Sequence, residues 1–235
     1  MAIYQVIKME KYKYIFSLLI SLLAFSYSFA QDDEFYADEK VKEPLLLKGI
    51  KFGVNVGRFS DFQFKPDRSS YEASFDFNLN NKYFGVIEGG YSEIAIEKDK
   101  YNLNSEGTFI KIGFDYNMLK KWPTDFLGIG LRIGRSDFSQ SADNIEIDLN
   151  HWGNYSSPSI TKSFDAYWFE ASFGVKGEIF KNIYLGWAGI VRVQLSGGKD
   201  ADFQPYDIPG YGTGSKSLHL AVNYYIYYQI PFNRK

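Results

Sequence analysis

Residues 126–135 read FLGIGLRIGR. In an extended chain, Leu127, Ile129, Leu131 and Ile133 fall on one side, and Gly128, Gly130, Arg132 and Gly134 on the other. A period of two sustained over such a stretch is a strand signal. One face is wholly apolar, while the other mixes glycine with charge. That mixture bears on which face is inside. A face turned to water has no need of small residues. A narrow barrel lumen does, because long charged side chains must fit there in a packed interior. The stretch is therefore expected to be a membrane strand with an apolar face toward lipid and a glycine-and-charge face toward the lumen.

The same reading extends in both directions. Segments 49–58, 71–79, 83–91, 108–116, 167–178, 184–195 and 218–232 also alternate, which makes eight candidate strands. Most are near the roughly 9–11 residues that a tilted membrane strand requires. Shorter connections (80–81, 117–125 and 180–183) alternate strictly with longer ones (59–70, 92–107, 136–166 and 196–217). The expected fold is all-β: an eight-stranded antiparallel transmembrane β-barrel with short periplasmic turns and four longer extracellular loops. Aromatics near the strand ends are expected to form interfacial girdles: Tyr71, Tyr83, Tyr91, Tyr116, Trp122, Phe126, Tyr167, Trp168, Tyr184, Tyr224, Tyr228 and Phe232.

The start of the chain fits this location. Lys8, Lys11 and Lys13 precede the apolar run 15–25, and Ser28-Phe29-Ala30 supplies small residues for a cut after Ala30. Residues 1–30 are thus expected to be a cleaved signal peptide. Residues 31–46 (QDDEFYADEKVKEPLL) are acidic and lack periodicity, as a periplasmic tether would. Residues 47–235 then form the barrel. The chain has no Cys, which excludes disulfides, thiolate metal sites and a lipid-anchored cysteine. A formal net charge of −2 argues against nucleic-acid binding, which needs a basic stripe.

Segments 110–117 (IKIGFDYN), 128–140 (GIGLRIGRSDFSQ), 208–211 (IPGY) and 222–231 (VNYYIYYQIP) resemble an uncharacterised family of outer-membrane β-barrels from Bacteroidetes-type bacteria, a domain of unknown function. The resemblance runs over roughly residues 47–233. It implies an outer-membrane location, but no activity and no functional residues. The last strand also resembles the C-terminal signal read by the barrel-assembly machinery, with Phe232 as its terminal aromatic. Asn233-Arg234-Lys235 depart from that pattern by following it.

The lumen face is expected to carry a network of Lys51, Glu72, Asp76, Glu88, Lys111, Asp115, Arg132, Glu170, Lys176, Glu178, Arg192 and His219. The signs nearly balance, as a salt-bridged filling demands. An eight-stranded lumen is just wide enough for side chains to fill, which disfavours a solute pore. His219 and Ser217 share the lumen face, and with Glu170 or Glu178 they could suggest a lipid hydrolase. Two neighbouring polar residues without an orienting third group are weak grounds for that. His151, near Asp143, Glu146 and Asp148, has no metal-ligand spacing. No cofactor motif is present.

Trp152, Tyr155, Phe203, Tyr206 and Tyr211 lie in the two longest loops. They either form a contact surface or pack together to close the barrel mouth. The expected function is a non-enzymatic structural or surface-interaction protein of the outer membrane. Its expected partners are membrane lipid, the assembly machinery and an extracellular protein or glycan. The alternatives are the hydrolase and a soluble lipocalin-like periplasmic binder.

Overall fold

The computed structural model describes residues 47–58, 67–98, 101–119, 125–143, 145–148, 154–197 and 203–230, without the side chains of 146–148 and 154–157. The signal and tether segments, Trp122, His151, Trp152 and Phe232 lie outside the described residues, as does the side chain of Tyr155.

Twelve strands follow one another: β1 (Gly49–Asn55), β2 (Arg68–Asn78), β3 (Tyr83–Lys98), β4 (Tyr101–Asn117), β5 (Phe126–Asp143), β6 (Ile145–Asp148), β7 (Asn154–Ser157), β8 (Ile160–Phe180), β9 (Ile183–Gly197), β10 (Asp207–Ile208), β11 (Gly212–Thr213) and β12 (Leu218–Ile230). Eight of them close into a barrel in the order β1-β12-β9-β8-β5-β4-β3-β2. Each barrel strand pairs antiparallel with its neighbours, and β1 seals against β12 through Ile50↔Ile230 to Asn55↔Tyr225. Closure leaves no long sheet edge at the membrane midplane. The remaining strands form two small hairpins, β6 with β7 and β10 with β11.

The polarity of this barrel is opposite to that of a soluble one. Ile112 and Ile133 on the outer wall are 57 % and 60 % exposed, whereas Lys111 on the inner wall is fully buried. Phe52, Phe75, Ile110, Phe114, Ile129, Leu131, Phe173, Val175, Leu185, Val191, Val222 and Ile226 continue the exposed apolar surface around the wall. In water such a continuous surface would drive association; in lipid it is the matching solvent. No helix among the described residues is long and apolar enough to cross a membrane.

Local chemistry explains the tight turns. At 79–82, Asn81 takes a positive φ of 64°, which asparagine tolerates better than most residues. The Asn78 side chain accepts from Asn81 N–H at 2.6 Å, and Asn80 Oδ1 accepts from Tyr83 N–H at 2.9 Å. Asn182 has the same role between β8 and β9, with φ 65° and its N–H donated to Glu178 Oε1 at 2.8 Å.

Two expected loops prove to be mostly strand. Residues 92–98 and 101–107 continue β3 and β4, while 136–143 and 160–166 continue β5 and β8. Toward the upper ends of these strands the outer face turns polar, as at Asp137, Ser139 and Ser141. The apolar signal therefore stops where the backbone pairing does not. The result is a raised wall: β3, β4, β5 and β8 have 16, 17, 18 and 21 residues, against 7 in β1 and 11 in β2.

The girdle assignment needs correction at three positions. Phe126, Trp168 and Tyr184 are buried inside the barrel, not placed at the lipid interface. Each shares the parity of a lumen residue: Phe126 with Gly128, Trp168 with Glu170, and Tyr184 with Gly186. Position near a strand end misled where alternation was informative. Tyr71, Tyr83, Tyr224 and Tyr228 do face outward. The Tyr83 and Tyr116 rings meet at a tilt with centroids 5.6 Å apart, and the Lys82 ammonium lies 5.3 Å from the Tyr116 ring.

Candidate functional site

The middle of the lumen is an ion network in which carboxylates bridge cations from different strands. Lys111 Nζ on β4 lies 2.9 Å from Glu72 Oε1 and 2.5 Å from Glu88 Oε2. Glu170 Oε2 stands 3.9 Å from the same ammonium. Arg132 on β5 donates Nε to Glu88 Oε1 at 2.9 Å and sets Nη1 3.0 Å from Asp115 Oδ1. Lys176 Nζ on β8 reaches Asp76 Oδ2 at 2.5 Å and Asp115 Oδ2 at 3.0 Å. Arg192 Nε on β9 donates to Glu170 Oε1 at 2.8 Å, where the Trp168 indole N–H also donates at 2.8 Å. The Tyr225 hydroxyl donates to Glu72 Oε1. Lys51 lies 3.7 Å from the centre of the Tyr184 ring. The ten buried charges of this region, five of each sign, come from seven different strands. A buried ion left alone costs several kcal/mol, about 3–5 when one partner is removed. The interleaving of signs avoids that cost.

Glycine makes room for these groups. A Cβ on Gly130 would strike Asp115, Arg132 and Ser172, and one on Gly134 would enter the Trp168 ring. The mid-lumen space bordered by Glu88, Asp115, Arg132 and Lys176 measures only about 20 Å³. That is room for about one water, which needs roughly 10–15 Å³ of such space, and for nothing larger.

Above the network, residues 203–217 fold down into the mouth. Ile208 and Tyr211 are fully buried against Phe109, Phe138, Ala166 and Trp168. Gly210, at φ 78°, lies so close to the Phe109 ring that a Cβ would meet it at 3.0 Å or less. Asp207 pairs with Arg68 at 2.8 Å. Arg192 Nη1 donates to the Tyr211 carbonyl at 3.0 Å, and Tyr206 N–H donates to Gln140 Oε1 at 2.7 Å. Burial raises the Asp207 carboxyl above its ordinary value of 3.8, with Arg68 opposing.

These placements revise several expectations. Glu178 is exposed and serves the β8–β9 turn, so it is not part of the network. Tyr211 closes the mouth from within and offers no outer contact surface. Phe203 is half-buried, 6.5 Å from the Phe164 ring, while Tyr206 is 51 % exposed. His219 is half-buried above the network, edge-on to Tyr211, and its Nε2 accepts from Thr213 N–H at 3.0 Å. Ser217 itself is exposed. Among the described residues, no group of three His, Asp or Glu side chains is arranged to hold a metal.

Sequence reasoning missed the interior aromatics. Tyr225 and Tyr227 stack at 5.2 Å beside Tyr184. Their parity with Asn223 and Gln229 was the available signal. Outside the raised wall, Tyr91, Glu106, Thr108, Asp137 and Asp165 border an open hollow of about 680 Å³.

The family described as "Domain of unknown function (DUF6048)" matches residues 11–235. No curated protein matches the chain. Among solved structures, the chain is similar to Ail, the attachment invasion locus protein of Yersinia pestis. That match has 7 % identity and a TM-score of 0.42, covering 77 % of this chain and 97 % of that one. It is also similar to CarO of Acinetobacter baumannii, with 10 % identity, TM-score 0.39, and 79 % and 98 % covered. A third is Neisserial surface protein A, with 11 % identity, TM-score 0.29, and 78 % and 95 % covered.

Proposed function

The chain belongs to the DUF6048 family, and we propose that it is an outer-membrane barrel that conducts no solute and presents its raised wall and mouth to an extracellular protein or glycan. The observation that carries this reading is the filled interior. The network of paired charges leaves about 20 Å³ at mid-lumen, and Tyr211 and Ile208 cover it from above. Side chains suffice to fill an eight-stranded barrel. A barrel without a channel has to act through its rim or its outer wall. The rim offers Tyr206, and the wall offers the hollow beside Tyr91 and Asp137. Aromatic and charged groups on a rigid sheet suit recognition.

The test combines location with conductance. The chain is expected in the outer-membrane fraction, with heat-modifiable mobility on a detergent gel and no conductance steps in a planar bilayer. Recovery as a soluble periplasmic protein overturns the location. Steady single-channel steps overturn the sealed lumen.

A further inference from the structure

β1 ends at Asn55, while its two neighbours continue. On the side facing β1, β12 is paired only from Tyr225 downward and β2 only from Ala73 downward. Among the described residues, no strand pairs with 218–224 or with 68–72 on that side. Among the described residues, strand pairing at the seam thus stops in its upper half.

A cavity of about 330 Å³ opens at this interruption. That is within the range of roughly 300–1,000 Å³ typical of small-molecule sites. Asn55, Arg58, Arg68, Arg192, His219 and Asn223 line it. Its donors are not saturated. Asn55 Nδ2, Asn223 Nδ2, Arg58 Nε and Arg192 Nη2 are buried, and none has a hydrogen-bond partner among the described residues; Asn55 Oδ1 is an idle acceptor beside them. The other guanidinium nitrogens are engaged in part, Arg58 Nη2 lying 3.3 Å from Glu72 Oε2 and Arg192 Nε and Nη1 donating to Glu170 and to the Tyr211 carbonyl. Asn55, Asn223 and Arg192 are each more than nine-tenths buried. A buried donor without an acceptor loses its hydration with nothing in return, so several on one cavity point to an occupant rich in acceptors. The outer side of the same edge is apolar: Leu220, Val222 and Tyr224 border the cavity and are at least half exposed.

We propose that this seam holds the phosphate head group of an anionic lipid, which enters sideways from the membrane. The phosphate accepts from the Arg58 and Arg192 guanidiniums and from the Asn55 and Asn223 amides, while its chains lie along Leu220, Val222 and Tyr224. Arg58 Nε and Arg192 Nη2 each offer a single charged donor to such an oxyanion, the rest of Arg192 staying on Glu170 and the Tyr211 carbonyl. Entry from the side is consistent with a mouth closed from above by Tyr211 and Ile208. The inference rests on the membrane location proposed above.

The experiment uses the purified full chain in detergent, followed by native mass spectrometry. The probes are phosphatidylglycerol, phosphatidylcholine with the same chains, and inorganic phosphate. Phosphatidylglycerol is expected to be retained at least tenfold better than phosphatidylcholine. The Arg58→Gln and Asn55→Leu variants should each lower that retention at least fivefold. Asn55→Leu keeps the test valid if Arg58→Gln fails to fold, because replacing two idle polar atoms with an apolar side chain should not destabilise the empty barrel. Equal retention of both lipids, retention unchanged in Asn55→Leu, or equal binding of inorganic phosphate overturns the proposal. Heat-modifiable mobility of the same samples reports separately on whether the barrel is membrane-type, so the two failures can be told apart.

Discussion

In the middle of the lumen, Lys111 holds Glu72 and Glu88, Arg132 joins Glu88 to Asp115, and Lys176 joins Asp115 to Asp76. At the mouth, Arg58, Arg192, Asn55 and Asn223 keep donor atoms that no described residue accepts. Lys111, Arg132 and Lys176 of the middle layer each lie within 3.0 Å of carboxylates from two other strands, whereas the mouth arginines, although paired with Glu72 and Glu170, each keep one donor atom over. The middle layer is supported on every side by closed strand pairing, so each carboxylate can be reached from a neighbouring strand. The mouth layer lies where β1 has ended, and partners from that direction are missing among the described residues. Dense ion pairing across strands marks the part of the interior that holds the barrel together. Idle donors mark the part open to something else.

The largest effect should come from breaking the middle layer. Lys111→Met leaves Glu72 and Glu88 facing each other without their shared cation. It should cost about 3–5 kcal/mol, read as a lower urea midpoint for the barrel in detergent micelles. A variant as stable as the wild type would mean that the network is dispensable. Next, Gly134→Leu drives a side chain into the Trp168 ring. It should cost about 1–3 kcal/mol by overpacking and shift the Trp168 emission.

A smaller effect concerns the closure of the mouth. The Asp207 carboxyl is raised by burial, so folding favours its neutral form. Its contribution is complete below the ordinary value of 3.8 and is lost as pH rises through the higher, folded value. Residues 203–217 should therefore exchange their amide hydrogens faster, after correction for intrinsic rates, once pH passes that value. Asp207→Asn should flatten the dependence. The smallest change is expected from Asn55→Leu at the mouth, where stability should hold or rise by less than about 1 kcal/mol. A loss comparable to that of Lys111→Met would erase the distinction between the layers.

Much of the middle layer was legible in the sequence, because parity alone assigns a face. Lys111, Asp115, Arg132, Glu170 and Arg192 each fall opposite an apolar set, with Gly113, Gly130 and Gly134 beside them. The mouth was less legible, for two physical reasons. Residues 203–217 have no period, so nothing in their order tells Tyr211, turned inward, from Tyr206, turned outward. Where β1 ends depends on backbone pairing, and segment 49–58 continues its alternation past Asn55 without a sign of the break. Glu178 shows the limit of parity: it is in phase with Lys176, but two residues further down β8, where it is exposed and serves the turn.

The central claim is that this barrel has its charges inside and its apolar wall in lipid. Two tryptophans of the same chain report on it directly. Trp187 lies on the outer wall, 41 % exposed, and Trp168 lies inside, fully buried. In single-tryptophan variants reconstituted into bilayers, brominated lipid should quench Trp187 strongly and leave Trp168 nearly untouched. Quenching of Trp168 by brominated lipid, with Trp187 open instead to a water-soluble quencher, would contradict the account.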